Sequence, residues 1–427
     1  MTTTAPQPKF NERSLLLTLA AVQFFNVLDF MVMMPLGARI MAAFVISPQQ
    51  FSWLVAAYGT AAALSGFAGA FVIDRFDRKN ALLILFSGFI LATFACALAS
   101  SYQALLIARL AAGAFGGVAG SIVTAMVGDV IPPDRRGRAM STVMSAFPLA
   151  SIFGIPLSLY VTSLYDWHAP FFLLAVGSVV VLVFAAKILP HVASVRAEKA
   201  PLAQMKAILV HPVHQRGFVL GGVLIMAGAC VVPFMAPTLV ANAGVPESKL
   251  PLIYLVGGAA TFITMPLIGR LADRFDKLHV LIAVTVPAAV AMLVVTNLSN
   301  VGLPIALIAS AFFFVGMTSR FPPTMAMITN AVEARYRGGF MSVISAIQQG
   351  AAGLANVIAG FLITADASGK LVGYNHAGYV SLAAFGLTIW LAARLRAIAP
   401  FAAKDPAHPQ VACATPPSAG PAASSTD

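Results

Sequence analysis

The chain has 427 residues, of which 59% are hydrophobic and only 10% charged. Soluble domains carry about 25% charged residues, and a mean hydropathy of +0.88 leaves too few polar groups to cover one water-facing surface. Three cysteines exclude a disulfide scaffold and the hydrophobicity excludes a disordered chain, while the formal charge of +11, which in a soluble protein would suggest nucleic acid, finds its explanation in topology below. The chain reads as an integral membrane protein with many spans.

Residues 1–13 are polar and read as a tail without a cleavable signal peptide, because the apolar run that follows is long enough to cross the bilayer. A hydrocarbon core of about 30 Å takes about 20 helical residues per crossing. Apolar runs between polar breaks place six spans at 14–37, 51–73, 79–99, 103–128, 138–163 and 169–189. Six more fall at 214–240, 250–272, 278–297, 302–330, 339–364 and 375–398. Segment 190–213, with Arg196, Glu198, Lys199, Lys206 and His211, reads as a polar central loop, and 399–427, rich in Ala, Pro and Ser, as a disordered tail. The fold class is therefore all-α, with twelve transmembrane helices in two six-helix bundles, 14–189 and 214–398.

An even number of spans puts both termini on one side. Of 26 Lys and Arg, 21 lie on the terminus side; Arg39, Lys249 and Lys370 lie opposite, and Arg109 and Arg320 fall inside spans. Positive residues stay in the cytoplasm, so both termini are expected there.

The halves carry matching marks. Asp74-Arg75-Phe76-Asp77 follows the second span and Asp273-Arg274-Phe275-Asp276 follows the eighth, 199 residues later. Arg136-Gly137 opens the fifth span and Arg337-Gly338 the eleventh, 201 residues later. Two marks with nearly one offset point to a duplication, the organisation of carriers whose halves enclose a central pathway.

On these residues the chain resembles the major facilitator superfamily. The stretch from Gly69 through Asp74, Arg75 and Arg78 to Lys79 is similar to the family's loop between helices two and three, and the stretch from Gly269 through Asp273 and Arg274 to Lys277 is its second copy. Where a glycine is usual before the basic pair, this chain has Asp77 and Asp276. Within the superfamily, Leu28-Asp29-Phe30 with Pro35, Arg109-Leu-Ala-Ala-Gly113, and Gly154-Ile155-Pro156 resemble the bacterial drug:proton antiporter and arabinose-efflux-like group, with Ala150 and Leu157-Ser158 standing where its helix-five motif usually has glycine. The resemblance implies alternating access between two rocking bundles in a bacterial inner membrane. It also implies a conformational latch built from Gly69, Asp74, Arg75, Arg78, Asp273 and Arg274, and an antiporter-like fifth helix carrying Gly154 and Pro156.

Asp29 is the one acid of 15 placed well inside a span. An ionised carboxylate there is costly, so it faces a partner or a cavity. Burial favours its protonated form, which is the chemistry of a proton-coupled carrier, and a nearby cation favours the anion. At 1.5 Å per residue, Asp29 lies about 22 Å and Arg109 about 21 Å from the cytoplasmic face, so the two are matched in depth and suit a proton-coupling pair. Arg320, in the tenth span before Phe321-Pro322-Pro323, sits where prolines free carbonyls and allow a bend, and it suits an anionic substrate group or pairing to those carbonyls. Gln23, Asn26, Gln348 and Asn356 complete the candidate substrate cavity, with helix–helix bonding as the competing role for each. Gly113, Gly116, Gly117, Gly120, Gly350 and Gly353 suit close helix contact.

The sequence thus describes a secondary transporter, driven by a proton gradient and needing no cofactor or metal, that exports a small organic solute or drug by proton antiport. Its partners would be substrate, protons and lipid, with no nucleic acid, and one chain can form the pathway alone. An organic-anion exchanger or uniporter, or a proton-symport uptake carrier, fits the same fold. A membrane-embedded enzyme would need an acid–base, metal or nucleotide constellation, and the sequence contains none.

Overall fold

In the computed structural model the described residues are 11–72, 76–132, 135–191, 201–333, 336–367 and 369–399. Among them, twelve helices are long and apolar enough to cross a membrane: Glu12–Val32, Pro48–Gly69, Arg78–Ala97, Tyr102–Val130, Arg138–Leu164, Ala169–Ile188, Pro212–Ala241, Glu247–Arg274, Lys277–Thr296, Gly302–Asn330, Gly339–Leu362 and Tyr374–Ile398. Large apolar side chains such as Leu17, Ile84, Leu91, Val176, Ile308 and Phe312 are exposed on their outer faces. Water would penalise such a belt; hydrocarbon does not. This is a multi-pass membrane protein.

The two halves repeat one packing scheme. The fourth span packs on the second and third, the third on the sixth, and the sixth on the first; correspondingly the tenth packs on the eighth and ninth, the ninth on the twelfth, and the twelfth on the seventh. The sequence marks do equivalent work in each copy. Asp77 caps the third span by accepting from Asn80 N, and Asp276 caps the ninth by accepting from Leu278 N. Arg136 Nε donates to the Ile131 carbonyl at 2.8 Å, and Arg337 Nε to the Val332 carbonyl at 3.3 Å, so each arginine holds a carbonyl at the end of the preceding span.

Several boundaries differ from the sequence reading. The first span ends at Val32, not 37, and a separate helix, Gly37–Phe44, follows a turn. The seventh is interrupted between Pro212–Ala229 and Val232–Ala241, the fifth by a π-helical turn at Ala150–Gly154, and the tenth at Arg320. The segment read as a central loop holds a helix, Pro201–Val210, and a short hairpin pairs Thr364–Ala365 with Leu371–Val372. A break costs no hydropathy, so composition passes over it.

The halves meet where the second span packs on the eleventh and the fifth on the eighth. Their core is divided unevenly. At the end remote from the termini, Leu36, Phe51, Leu105 and Trp167 of the first half join Phe234, Leu250, Val295 and Tyr374 of the second in one cluster. Toward the termini the clusters are separate, one around Phe86, Met126 and Val143, the other around Phe218, Met327 and Phe340. The described residues are therefore closed at the far end and parted at the terminus end.

Candidate functional site

Asp29 and Arg109 have no solvent exposure and form an ion pair, with Arg109 Nη1 2.7 Å from Asp29 Oδ2. The same Nη1 donates to the Asp29 carbonyl at 3.2 Å, and Thr93 Oγ1 donates to Asp29 Oδ1 at 3.2 Å. Beneath the guanidinium, Arg109 Cζ lies 4.7 Å from the centroid of the Tyr58 ring. Among the described residues, Nε and Nη2 of Arg109 have no nitrogen or oxygen acceptor. Four spans meet here: the first brings the acid, the fourth the arginine, the third the threonine and the second the tyrosine. Small residues let them approach. A methyl on Gly113 would fall on the Tyr58 carbonyl, and one on Gly154 would lie 2.6 Å from Leu28, the residue before Asp29. Pro156 follows in the first turn of the helix beginning at Ile155.

The other helix-one residues continue the same seam. Asn26 Nδ2 donates to the Gly116 carbonyl at 2.8 Å and its Oδ1 accepts from the Tyr58 hydroxyl, so both ends of this amide are spent on helix contacts. Gln23 is half-buried beside Gly120, and its Oε1 is buried without a partner.

In the second half, Arg320 is 1% exposed. Its Cζ stacks 3.9 Å from the centroid of Phe385, and Nη2 donates to Met317 Sδ at 3.4 Å. Gln348 Nε2 donates to Met325 Sδ at 3.5 Å, bridging the eleventh span to the tenth. Asn356 is fully buried, and among the described residues neither Oδ1 nor Nδ2 has a partner. Arg320 and Asn356 thus hold polar capacity that this conformation leaves unused.

Of the loop residues, Asp74 and Arg75 lie outside the described residues. Gly69 is buried at the end of the second span. Arg78 Nε pairs with Asp129 Oδ2 at 3.1 Å, tying the third span to the fourth within one half. Asp273 and Arg274 are exposed, and among the described residues neither has an ion-pair partner. The charge contact of that copy falls instead on Asp276, whose Oδ2 pairs with Arg396 Nη2 at 2.9 Å. The residues standing in place of glycine are therefore helix caps, a role that an Asp opening an apolar run does signal.

A family model described as Major Facilitator Superfamily matches residues 19–224 and again 217–412. The chain belongs to the major facilitator superfamily. The two matches, one per bundle, agree with the repeated packing. This superfamily member is 28% identical over 174 residues to an uncharacterized MFS-type transporter, YceJ, of Bacillus subtilis (strain 168). That alignment covers 40% of this chain and 44% of YceJ, so it spans less than half the length of that curated relative. A crystal structure of a D-xylose-proton symporter superposes with a TM-score of 0.74 at 17% identity, covering 90% of this chain and 97% of that one. The inward open xylose transporter XylE from E. coli superposes with a TM-score of 0.70 at 16% identity, covering 89% and 96%. At such identities the likeness is one of fold. Family and fold are those of transporters, not of enzymes.

Proposed function

We propose that the chain is a proton-coupled secondary transporter that exports a small organic solute by antiport across a bacterial inner membrane, with both termini in the cytoplasm and one chain forming the pathway. The observation that carries the reading is the Asp29–Arg109 pair, fully buried at the meeting of four spans. Paired, the carboxylate is balanced by the guanidinium. When solute or a change of state draws Arg109 away, Asp29 loses its counter-charge and a proton takes the place of the guanidinium. Each proton returned across the membrane supplies about 2.3 kcal/mol per 100 mV. Gly154 supports the same site, because it seats the fifth span against Leu28 beside the acid. The charge asymmetry of the loops supports the orientation, and the parted terminus end is then the cytoplasmic one.

The experiment uses inside-out vesicles carrying wild type or Asp29→Asn, energised to an acid interior and read with a pH-sensitive dye. Drugs, sugars and organic acids are added in turn. A compound that releases protons from wild-type vesicles but not from the variant is the expected result. Labelled solute moving equally in both, with no proton signal, overturns the coupling role of Asp29.

A further inference from the structure

The second half contains a charge that its own residues do not balance. Among the described residues, the buried acidic and basic side chains are Asp29, Arg109, Lys277 and Arg320, with His214 beside them. Asp29 and Arg109 neutralise each other, and Lys277 has partners of its own. Arg320 has none that is anionic. The seventh and tenth spans, where a counterpart of Asp29 would stand, contain no Asp or Glu between residues 212 and 241 or between 302 and 330. The guanidinium instead meets an aromatic face and a thioether sulfur, while Nε and Nη1 make no hydrogen bond. A ring face attracts a cation but accepts no in-plane N–H, and sulfur is a weak acceptor. A guanidinium kept in such surroundings is matched to an anion that arrives from outside the protein.

Its place in the fold gives that anion a consequence. Arg320 is the single residue between two helical segments of the tenth span, Gly302–Ser319 and Phe321–Asn330, and Pro322 and Pro323 follow it without amide donors. The segment before it contributes Ala309 and Phe313 to the core that both halves share. The segment after it contributes Met327 and Ile328 to the separate core of the terminus end. Arg320 thus stands at the joint between the closed end and the parted end.

Building on the transport reading above, we propose that Arg320 is the anion subsite of this carrier and that its solute is an organic monoanion, a carboxylate on an apolar body. The carboxylate takes the Nε and Nη1 donors, the apolar body packs among side chains such as Phe385 and Met317, and closure of the joint around the bound anion moves the terminus-side segment of the tenth span. Such a charge-assisted bond favours the planar fork of arginine over the point charge of lysine.

The test uses the purified full-length protein and pairs of probes matched in shape: benzoate with benzamide and hexanoate with hexanamide, at constant ionic strength. Thermal unfolding is followed with each. The carboxylates should raise the midpoint of the wild type while the amides leave it unmoved. Arg320→Gln should abolish the shift, and Arg320→Lys should bind about tenfold or more weakly. The wild-type comparison and the Lys variant carry the test should the Gln variant not fold. Equal effects of acid and amide, no carboxylate effect on the wild type, or an undiminished shift in Arg320→Gln each overturn the subsite. Its failure is separable from that of antiport. Proton release by a cationic or neutral solute, with no carboxylate stabilisation, rejects the anion subsite and leaves antiport standing. Carboxylate stabilisation lost in Arg320→Gln, with no proton movement for any solute, rejects antiport and leaves the subsite standing.

Discussion

An acid and a base that share a water-free site are each costly alone, because removal of one strands the charge of the other. Truncating one partner of a buried pair typically costs about 3–5 kcal/mol, whereas removing both can be nearly neutral. Arg109→Gln and Asp29→Asn should therefore each destabilise the protein, and the double variant should lose clearly less than the sum of the two. Thermal unfolding in detergent measures this, and additive losses would show that the pair is not coupled. Tyr58→Phe should cost about 1 kcal/mol by leaving Asn26 Oδ1 without its donor, while the ring beneath Arg109 remains. The pair was legible in the sequence because Asp29 is an isolated acid in an apolar run and Arg109 matches it in depth. Thr93 and Tyr58 were not, since a threonine or tyrosine in a helix is unremarkable until the fold brings it beside a charge. Asn26 was legible as a polar residue facing inward, but only three-dimensional contact shows its amide already engaged by Gly116 and Tyr58.

Helices are held here by their ends as much as by their faces. Asp276 caps the ninth span and pairs with Arg396 at the end of the twelfth, whereas Asp273 three residues earlier is exposed. Asp276→Ala should lower stability by about 1–2 kcal/mol, from the lost cap and the lost ion pair. Asp273→Ala should change it by less than about 0.5 kcal/mol. Equal midpoints for the two variants would refute this division of roles. The spans themselves follow directly from hydropathy, since about 20 apolar residues admit little else. Their interruptions are harder to read. Pro322 and Pro323 follow the break at Arg320, Pro233 follows the one at Cys230, and Pro148 and Pro156 flank the π-helical turn at Ala150–Gly154, yet Pro266 and Pro287 lie inside helices that continue, so a proline alone does not locate a break.

At the scale of the whole molecule, the closed end is held by apolar packing and by a charged contact across the halves. Arg39, in the helix after the first span, pairs with Glu247 at the start of the eighth and donates from Nη1 to the Thr162 carbonyl of the fifth. Gly37 in the same short helix touches the Phe51 ring and Pro237, whose Cγ would lie 2.9 Å from an added methyl. These contacts must separate if the far end is to open. The halves then need a state in which Arg39 and Glu247 are each hydrated, and the bond shifts the balance toward the closed end by its own worth. For a half-exposed pair that is about 1 kcal/mol, or roughly a fivefold change in populations. Glu247→Gln should therefore raise the rate at which an impermeant maleimide labels a cysteine placed at buried Met235, in a protein lacking Cys96, Cys230 and Cys413. The reversed pair, Arg39→Glu with Glu247→Arg, should bring labelling part of the way back toward the parent rate, because it restores the ion pair but not the bond to the Thr162 carbonyl, to which a carboxylate cannot donate. Labelling that is the same in all three proteins would mean that apolar packing alone holds the far end shut.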